Sequence, residues 1–462
     1  MPCICDRIPG ECEVLLSCIS NSCTYDPAPD GTPCSVGTCH SGACVSAPAS
    51  CGDGLREPGP TPAREGCDDG NTLSGDACAP DCTPTVLVVS STTGEEGIPA
   101  FVSVAEDDSG ELLFVWTATS GESAELRGRR HSSSGVPMGP ELTLSADLGR
   151  GWDPRASVVG LPSGWAVVWA ERAGAALESD IRLRTVSADG ALSAIRRANS
   201  YAVGRQADPA AARTATGLLV AWADESGTAT LPGDSRLRYR TFDVLGRPTS
   251  DELPLSPEGT SAREVFLSSD SAVTLAVWTQ DTVVPFDRPS IVARRFGAAT
   301  DAAPFTISDD GSEASAAFLT TGDIAVVWVA RRLDARGDIH ARLVHAAGDP
   351  LSATAITPLT VTPMDAPHVA EVAPRILPLT GADYLVTYED GGVRRGVTRL
   401  EVGSSPLAPE SAALFPLLAD GLQGDVTLLS TSLGYWFAWS DAGGLGAPGA
   451  HRSFLAYLLP PS

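Results

Sequence analysis

The stretch Gly217-Leu-Leu-Val-Ala-Trp222 decides the fold: a β-prone apolar run, often entered by glycine (Gly164, Gly217, Gly434) and ending on an aromatic, that the chain writes again and again. Its counterparts are residues 112–116, 165–169, 274–278, 324–328, 384–388 and 435–439, which end on Trp116, Trp169, Trp278, Trp328, Tyr388 and Trp439. Along the chain the seven aromatics stand 53, 53, 56, 50, 60 and 51 residues apart. A repeat of that period is one supersecondary unit copied in series.

Working outward from each run, the same neighbours recur. A short apolar strand precedes it, as at residues 99–105 or 315–320, and a polar loop follows. A third strand then carries an arginine three positions after an aliphatic residue: Leu126/Arg129, Ile181/Arg184, Leu237/Arg240, Ile291/Arg294 and Ile339/Arg342. Turns with Gly135, Gly190 or Gly246 lead to a fourth strand such as Glu141-Leu-Thr-Leu-Ser145 or Glu252-Leu-Pro-Leu-Ser256. Alternating runs bounded by Gly, Pro, Asp and Ser are strand signals, and four strands per unit of about 50 residues describe a β-propeller blade. The seventh unit runs out of chain after its third strand, while an unassigned strand, Thr85-Val-Leu-Val-Val-Ser90, precedes the first. The fold class expected is therefore all-β: a seven-bladed propeller over 84–462, closed by its N-terminal strand and preceded by small disulfide-rich modules. Closure removes an open sheet edge that would otherwise template aggregation. The recurring aromatics are expected between neighbouring sheets, as core. The third-strand arginines are expected to bridge neighbouring blades.

Twelve cysteines crowd the first 82 residues and none follows. An even count in a Gly/Pro/Asp-rich segment poor in apolar mass reads as a disulfide framework. The spacings lack paired C-x-x-C units and only His40 lies among them, so disulfides are favoured over zinc. Residues 1–46 form one module, with Cys3, Cys5, Cys12, Cys18, Cys23, Cys34, Cys39 and Cys44. Its stretch Asp30-Gly-Thr-Pro-Cys34 … Cys39-His-Ser-Gly-Ala-Cys44 resembles short cysteine-rich modules of secreted proteins.

Residues 47–83 form a second module, with Cys51-Gly-Asp-Gly54, Cys67-Asp-Asp-Gly-Asn71, Gly75-Asp76, Cys78 and Cys82. This order resembles the cysteine-rich repeat of surface and secreted proteins of myxobacteria and their relatives. The inserted residues 59–66 and Ala77 in place of the usual glycine depart from that pattern. The resemblance implies location more than activity. With the cysteines it sets an extracellular or cell-surface expectation, although Met-Pro-Cys-Ile-Cys-Asp-Arg at the start has no secretory leader pattern.

The net charge of −25 repels phosphate backbones, so no nucleic-acid partner is expected. No run is long enough for a transmembrane helix. The chain contains no lysine, which removes Schiff-base and P-loop chemistry. Arg336-Gly-Asp338 spells a recognition tripeptide that chance supplies readily in such a composition. Gly444-Leu-Gly-Ala-Pro-Gly449 matches a dinucleotide fingerprint in form only, with Pro448 inside and no helix signal after it.

Candidate chemistry is carboxylate chemistry. Glu171, Asp224, Asp390 and Asp441 stand two residues after the aromatic and Asp281 three after. Asp309 and Asp310, with Glu313 close by, represent acidic loops after fourth strands. In a propeller both kinds of loop open on one face, a candidate ligand face. Such a face favours Ca²⁺, cationic ligands or basic partners, although the same acids also suit turn hydrogen bonds. Asp53, Asp68, Asp69, Asn71 and Asp76 form a second candidate calcium set.

The function expected is a monomeric binding or adhesion-type protein for an extracellular protein or glycan. The alternative is a polysaccharide-active hydrolase or lyase using face carboxylates. The disulfide framework has a direct check. Ellman titration of the denatured, unreduced protein should find essentially no thiol, and many free thiols would overturn both framework and location.

Overall fold

The structure, a computed structural model, describes residues 12–19, 22–28, 33–34, 37–40, 43–46, 87–89, 98–120, 123–148, 155–172, 178–201, 203–225 and 235–270. Beyond these it describes 272–281, 289–297, 303–319, 323–331, 337–344, 359–360, 371–378, 383–390, 394–401, 423–431, 434–441 and 453–459. Their regular structure is all strand, and no helix among them is long and apolar enough to cross a membrane. The chain divides into two compact units, Met1–Ser74 with Cys78–Pro84, and Thr85–Ser462 with Gly75–Ala77.

In the first unit Glu13–Ile19 pairs with Ser22–Pro27, placing Cys18 opposite Cys23. Pro33–Cys34, Gly37–His40 and Ala43–Ser46 form a three-stranded sheet in which Cys39 faces Cys44. Cys12 and Cys23 are both disulfide-bonded, and no described cysteine is free.

The second unit holds seven antiparallel sheets among its described residues. Sheet 1 runs Ile98–Glu106, Leu112–Ser120, Ser123–His131, Leu142–Ser145, and sheet 2 runs Ser157–Leu161, Gly164–Arg172, Ser179–Ser187, Arg196–Arg197. Sheet 3 is Gln206–Thr214, Gly217–Asp224, Arg236–Phe242, Leu253–Pro254. Sheet 4 is Ser261–Ser269, Val273–Asp281, Ser290–Gly297, Phe305–Ser308, and sheet 5 is Ser312–Phe318, Ile324–Arg331, Gly337–Val344, Leu359–Thr360. Sheet 6 has three described strands, Glu371–Pro378, Asp383–Asp390 and Arg394–Glu401. Sheet 7 has Gln423–Thr431, Gly434–Asp441 and Ser453–Leu459, and its fourth strand comes from far upstream: Leu87–Val88 pairs with Ala456 and Leu455.

Each sheet packs face to face on the next, as a β-propeller requires. Trp169 of sheet 2 lies buried with Val115, Leu126 and Leu144 of sheet 1. Trp222 of sheet 3 sits with Val168, Ile181 and Leu183 of sheet 2. Trp278 and Trp328 repeat this between sheets 3 and 4 and between sheets 4 and 5. Trp116 of sheet 1 packs against Val89, Trp436 and Ala438 of sheet 7, so the last sheet meets the first. The six tryptophans that end these runs are buried core, as expected, and the Tyr388 side chain lies outside the described residues.

The third-strand arginines reach across the same joints. Arg184 donates to Leu144 O (2.5 Å) and to Ser193 O, and Arg240 to Ala198 O (3.2 Å) and Ser250 O. Arg294 donates to Pro254 O (3.3 Å), and Arg342 to Ile307 O. Each interblade acceptor lies in, or next to, the preceding sheet's outer strand, whose unpaired edge carbonyls need donors.

Glycine opens three of the second strands, at Gly164, Gly217 and Gly434, for a steric reason. At Gly164 (φ +125°) a Cβ would fall 2.1 Å from Val186 O on the neighbouring strand. At Gly311, after a fourth strand, a Cβ would fall 2.3 Å from Trp328 Cδ1.

The joint between sheets 2 and 3 gives a test. Trp222 is fully buried and its Nε1 donates to Gln206 Oε1 at 3.0 Å. Trp222→Ala should cost about 3–5 kcal/mol through the cavity and lost contacts. Urea unfolding followed by far-UV circular dichroism reads this, and a loss below about 1 kcal/mol would show that the joint does not depend on the aromatic.

Candidate functional site

The second strands do not stop at the aromatic. The ladder continues from Trp169 opposite Arg182 to Arg172 opposite Ser179. Asp224, Asp281, Asp390 and Asp441 are the last residues of their strands, and Glu171 is last but one. The acids expected in loops are therefore strand residues, because ladder hydrogen bonds use the backbone and tolerate polar side chains at a sheet's wet end. In four sheets the terminal acid stands opposite the first residue of the first strand: Gln206, Ser261, Glu371 and Gln423.

Where side chains are described, arginines meet these acids. Glu171 accepts from Arg182 Nε (3.2 Å), Ser145 Oγ (3.0 Å) and Trp169 Nε1 (3.2 Å). Buried Asp224 accepts from Gln206 Nε2 (2.8 Å) and from Arg238, which also pairs with Glu252 at 3.3 Å. Arg263 meets both oxygens of Asp281, at 3.2 and 3.3 Å. Charged hydrogen bonds of this kind hold side chains in fixed orientations.

The same edge carries a feature the sequence reading missed. The first strands of sheets 1, 3, 4, 5, 6 and 7 each break register near their start. Asp208, Glu264, Glu313 and Ala373 lie at these bulges with φ of 48°, 56°, 55° and 51°. Left-handed backbone is uncommon outside glycine and asparagine, and it persists where surroundings compensate. Here the compensation passes from sheet to sheet. Glu264 Oε2 accepts from Glu313 N (3.0 Å) and Thr279 Oγ1 (2.8 Å), and Glu313 Oε2 accepts from Ala373 N (2.7 Å). Hydroxyls stitch other joints: Thr427 Oγ1 donates to Val102 O and Ser103 Oγ to Ala156 O. Glu313 is thus a strand residue, not part of a loop. Acids 14 or 15 residues before the aromatic, at Asp208, Glu264 and Glu313, were the available signal.

Asp309 is exposed, while Asp310 N bonds Ser308 Oγ at 3.2 Å within the turn. The structure thus gathers Glu171, Asp224, Asp281, Asp390, Asp441, Asp309 and Asp310 at corresponding ends of their sheets. The side chains of Asp390 and Asp441 lie outside the described residues, as do Asp53, Asp68, Asp69, Asn71 and Asp76. Among the described residues no group of three or more His, Cys, Asp or Glu is arranged to hold a metal ion.

The opposite edge of sheet 1 has its own electrostatics. Asp107, 5 % exposed, accepts through Oδ1 from Ser109 N (2.9 Å) and Glu111 N (3.0 Å). Burial, and then the neighbouring Asp107 charge, push the Glu106 carboxyl up from 4.5 to about 7. The folded state thus keeps a proton that the unfolded chain releases near its ordinary value. By linkage this favours folding at low pH, and the contribution is lost as pH rises from about 4.5 through 7. Glu106→Gln should flatten that part of the stability profile in urea midpoints taken across the range. An unchanged slope would place the proton elsewhere.

No family model matches the chain, and no curated protein matches it. Solved structures do resemble it in backbone. The BP39L lectin from Burkholderia pseudomallei aligns with TM-score 0.49 and 12 % identity over 78 % of this chain and 97 % of the lectin. The β-propeller domain of the Trilobed protease from Pyrococcus furiosus aligns at 0.44 and 8 %, over 78 % and 95 %. Penicillium chrysogenum α-L-arabinanase aligns at 0.44 and 13 %, over 70 % and 100 %. Likenesses at this level say nothing about what this chain binds.

Proposed function

We propose that the chain is a secreted or cell-surface binding protein. In this reading the seven sheets are the blades of one propeller closed by Leu87–Val88, carried behind a disulfide framework of all twelve cysteines. The ligand, an extracellular protein or glycan, meets the edge where second strands end and outer strands return to first strands.

The observation that carries this reading is the engagement of the edge carboxylates by arginine: Glu171 by Arg182, Asp224 by Arg238 and Asp281 by Arg263. A glycosidase needs one carboxyl able to give up a proton and another placed to attack or activate water. Carboxylates locked into ion pairs within their own sheets instead make a stiff frame, from which the loops present ligand contacts. Calcium belongs to the proposal at the Asp53–Asp76 set, because hard cations take oxygen ligands.

A glycan and extracellular-protein array, run with calcium and again with chelator, tests the proposal. Saturable binding without turnover is expected, and the chelator arm tests whether the Asp53–Asp76 set contributes to it. Release of reducing sugar from an arrayed polysaccharide, lost on replacing one edge carboxylate, would overturn it in favour of a hydrolase.

A further inference from the structure

The exposed apolar side chains of the second unit are not scattered. Among the described residues of this unit Ile195, Tyr201, Val203, Val244, Leu245 and Leu253 are the large ones between 40 % and 69 % exposed, and all belong to sheets 2 and 3 or the segments beside their strands. Exposed arginines gather there too. Of the five described, Arg196, Arg197, Arg236 and Arg247 lie on these sheets, and the fifth, Arg155, just precedes sheet 2. Single exposed aliphatics need no explanation, but a group of them beside arginines has the composition of an interaction surface.

The two sheets bring these residues to one seam. Arg196 stands opposite Leu183 in the sheet 2 ladder. A Cβ on Gly246 would lie 2.5 Å from Leu183 Cδ2, so the turn bearing Val244, Leu245 and Arg247 rests on the same leucine. Farther along, the Tyr201 ring lies 5.1 Å from the Arg238 guanidinium of sheet 3, and Ser200 N donates to Glu252 Oε2 at 2.6 Å, next to Leu253.

The loop that presents Tyr201 is firmly held. Buried Asn199 accepts from Ile181 N (2.9 Å), and its Nδ2 donates to Asp180 Oδ1 (2.9 Å) and to Tyr201 O. Asn199 caps the third strand as Ser256 does in sheet 3, where Leu237 N donates to Ser256 Oγ. Two residues beyond this position sheets 1, 3 and 4 carry Asp147, Glu258 and Asp310, where sheet 2 has Tyr201. A bulky aromatic therefore replaces an acid on a loop whose ordering cost is already met, which is how a preorganised contact gains affinity.

We propose that the seam of sheets 2 and 3 docks an acidic segment of a partner protein, its apolar side chains covering Tyr201 and Leu245 and its carboxylates meeting Arg196 and Arg197. Charge decides the occupant. The chain carries −25 overall, yet exposes its arginines here. A two-fold pairing of copies through this patch would set arginines against arginines, whereas an acidic partner meets them with opposite charge. At Tyr201, on the connection from the outer strand of sheet 2 to the first strand of sheet 3, this surface borders the loop edge assigned above, but the proposal stands without that reading.

Random peptides displayed on phage and selected against the immobilised full-length chain give the test. Enriched peptides should interleave Asp or Glu with Leu, Ile or Phe. They should bind the Arg196→Glu/Arg197→Glu variant about tenfold more weakly or worse, and likewise Tyr201→Ala. Binding should also weaken with added salt. Tyr201→Ala removes an exposed ring and should melt with the wild type, which separates lost docking from lost folding. Absence of acidic peptides, or equal binding by both variants, would overturn the proposal. So would sedimentation showing wild-type oligomers that these substitutions dissolve, since the occupant would then be a second copy.

Discussion

A sheet of four short strands has two apolar faces and cannot bury either by itself. Everything else in the second unit follows from that constraint. Trp169, Trp222, Trp278 and Trp328 each fill the space between their own sheet and the one before it. Because every sheet exports an apolar face, the last must find the first, as Trp116 does against Trp436 and Ala438. The pairing of Leu87–Val88 with the last sheet joins the two ends of the array through the backbone as well. The arginine bonds to outer-strand carbonyls complete each joint, so apolar burial and carbonyl satisfaction are met at the same interface.

That packing leaves only the sheet ends for chemistry. At one end the first strands bulge, and glutamates in left-handed backbone bond to the next sheet's amide. Beside them Glu171, Asp224 and Asp281, at the ends of second strands, are met by arginines. The edge is acidic in composition, yet Glu171, Asp224 and Asp281 are compensated within their own sheets. It is better understood as a rigid frame than as an open cage of carboxylates. Contacts with a ligand then fall to the connections, whose residues vary from sheet to sheet where the frame repeats.

The architecture was legible because it rests on patterns with a period. Aromatics about 50 residues apart, glycines before second strands and arginines three after an aliphatic each mark a position on a copied unit, and each landed in its expected strand. Strand ends were less legible. The reading stopped at Trp222 because Asp224 is polar, whereas the ladder runs on to Asp224 since backbone pairing does not depend on side-chain polarity. The bulges were invisible for a related reason: an extra residue shifts register without changing composition.

The sequence alone determined the repeat, the all-β character, the acidity and the crowding of cysteines at one end, since these are properties of order and composition. It also named the acids of the candidate face. Tertiary structure decided what those acids do, because a carboxylate's role depends on which cation lies within hydrogen-bond reach. Arg182 is close to Glu171 in sequence and Arg238 to Asp224, but only antiparallel pairing turns those separations into contacts. Tyr201 marks the same division. Its replacement of an acid could be read by aligning loops, but its exposure over Arg238, beside the arginines of a seam between two sheets, exists only once the sheets pack.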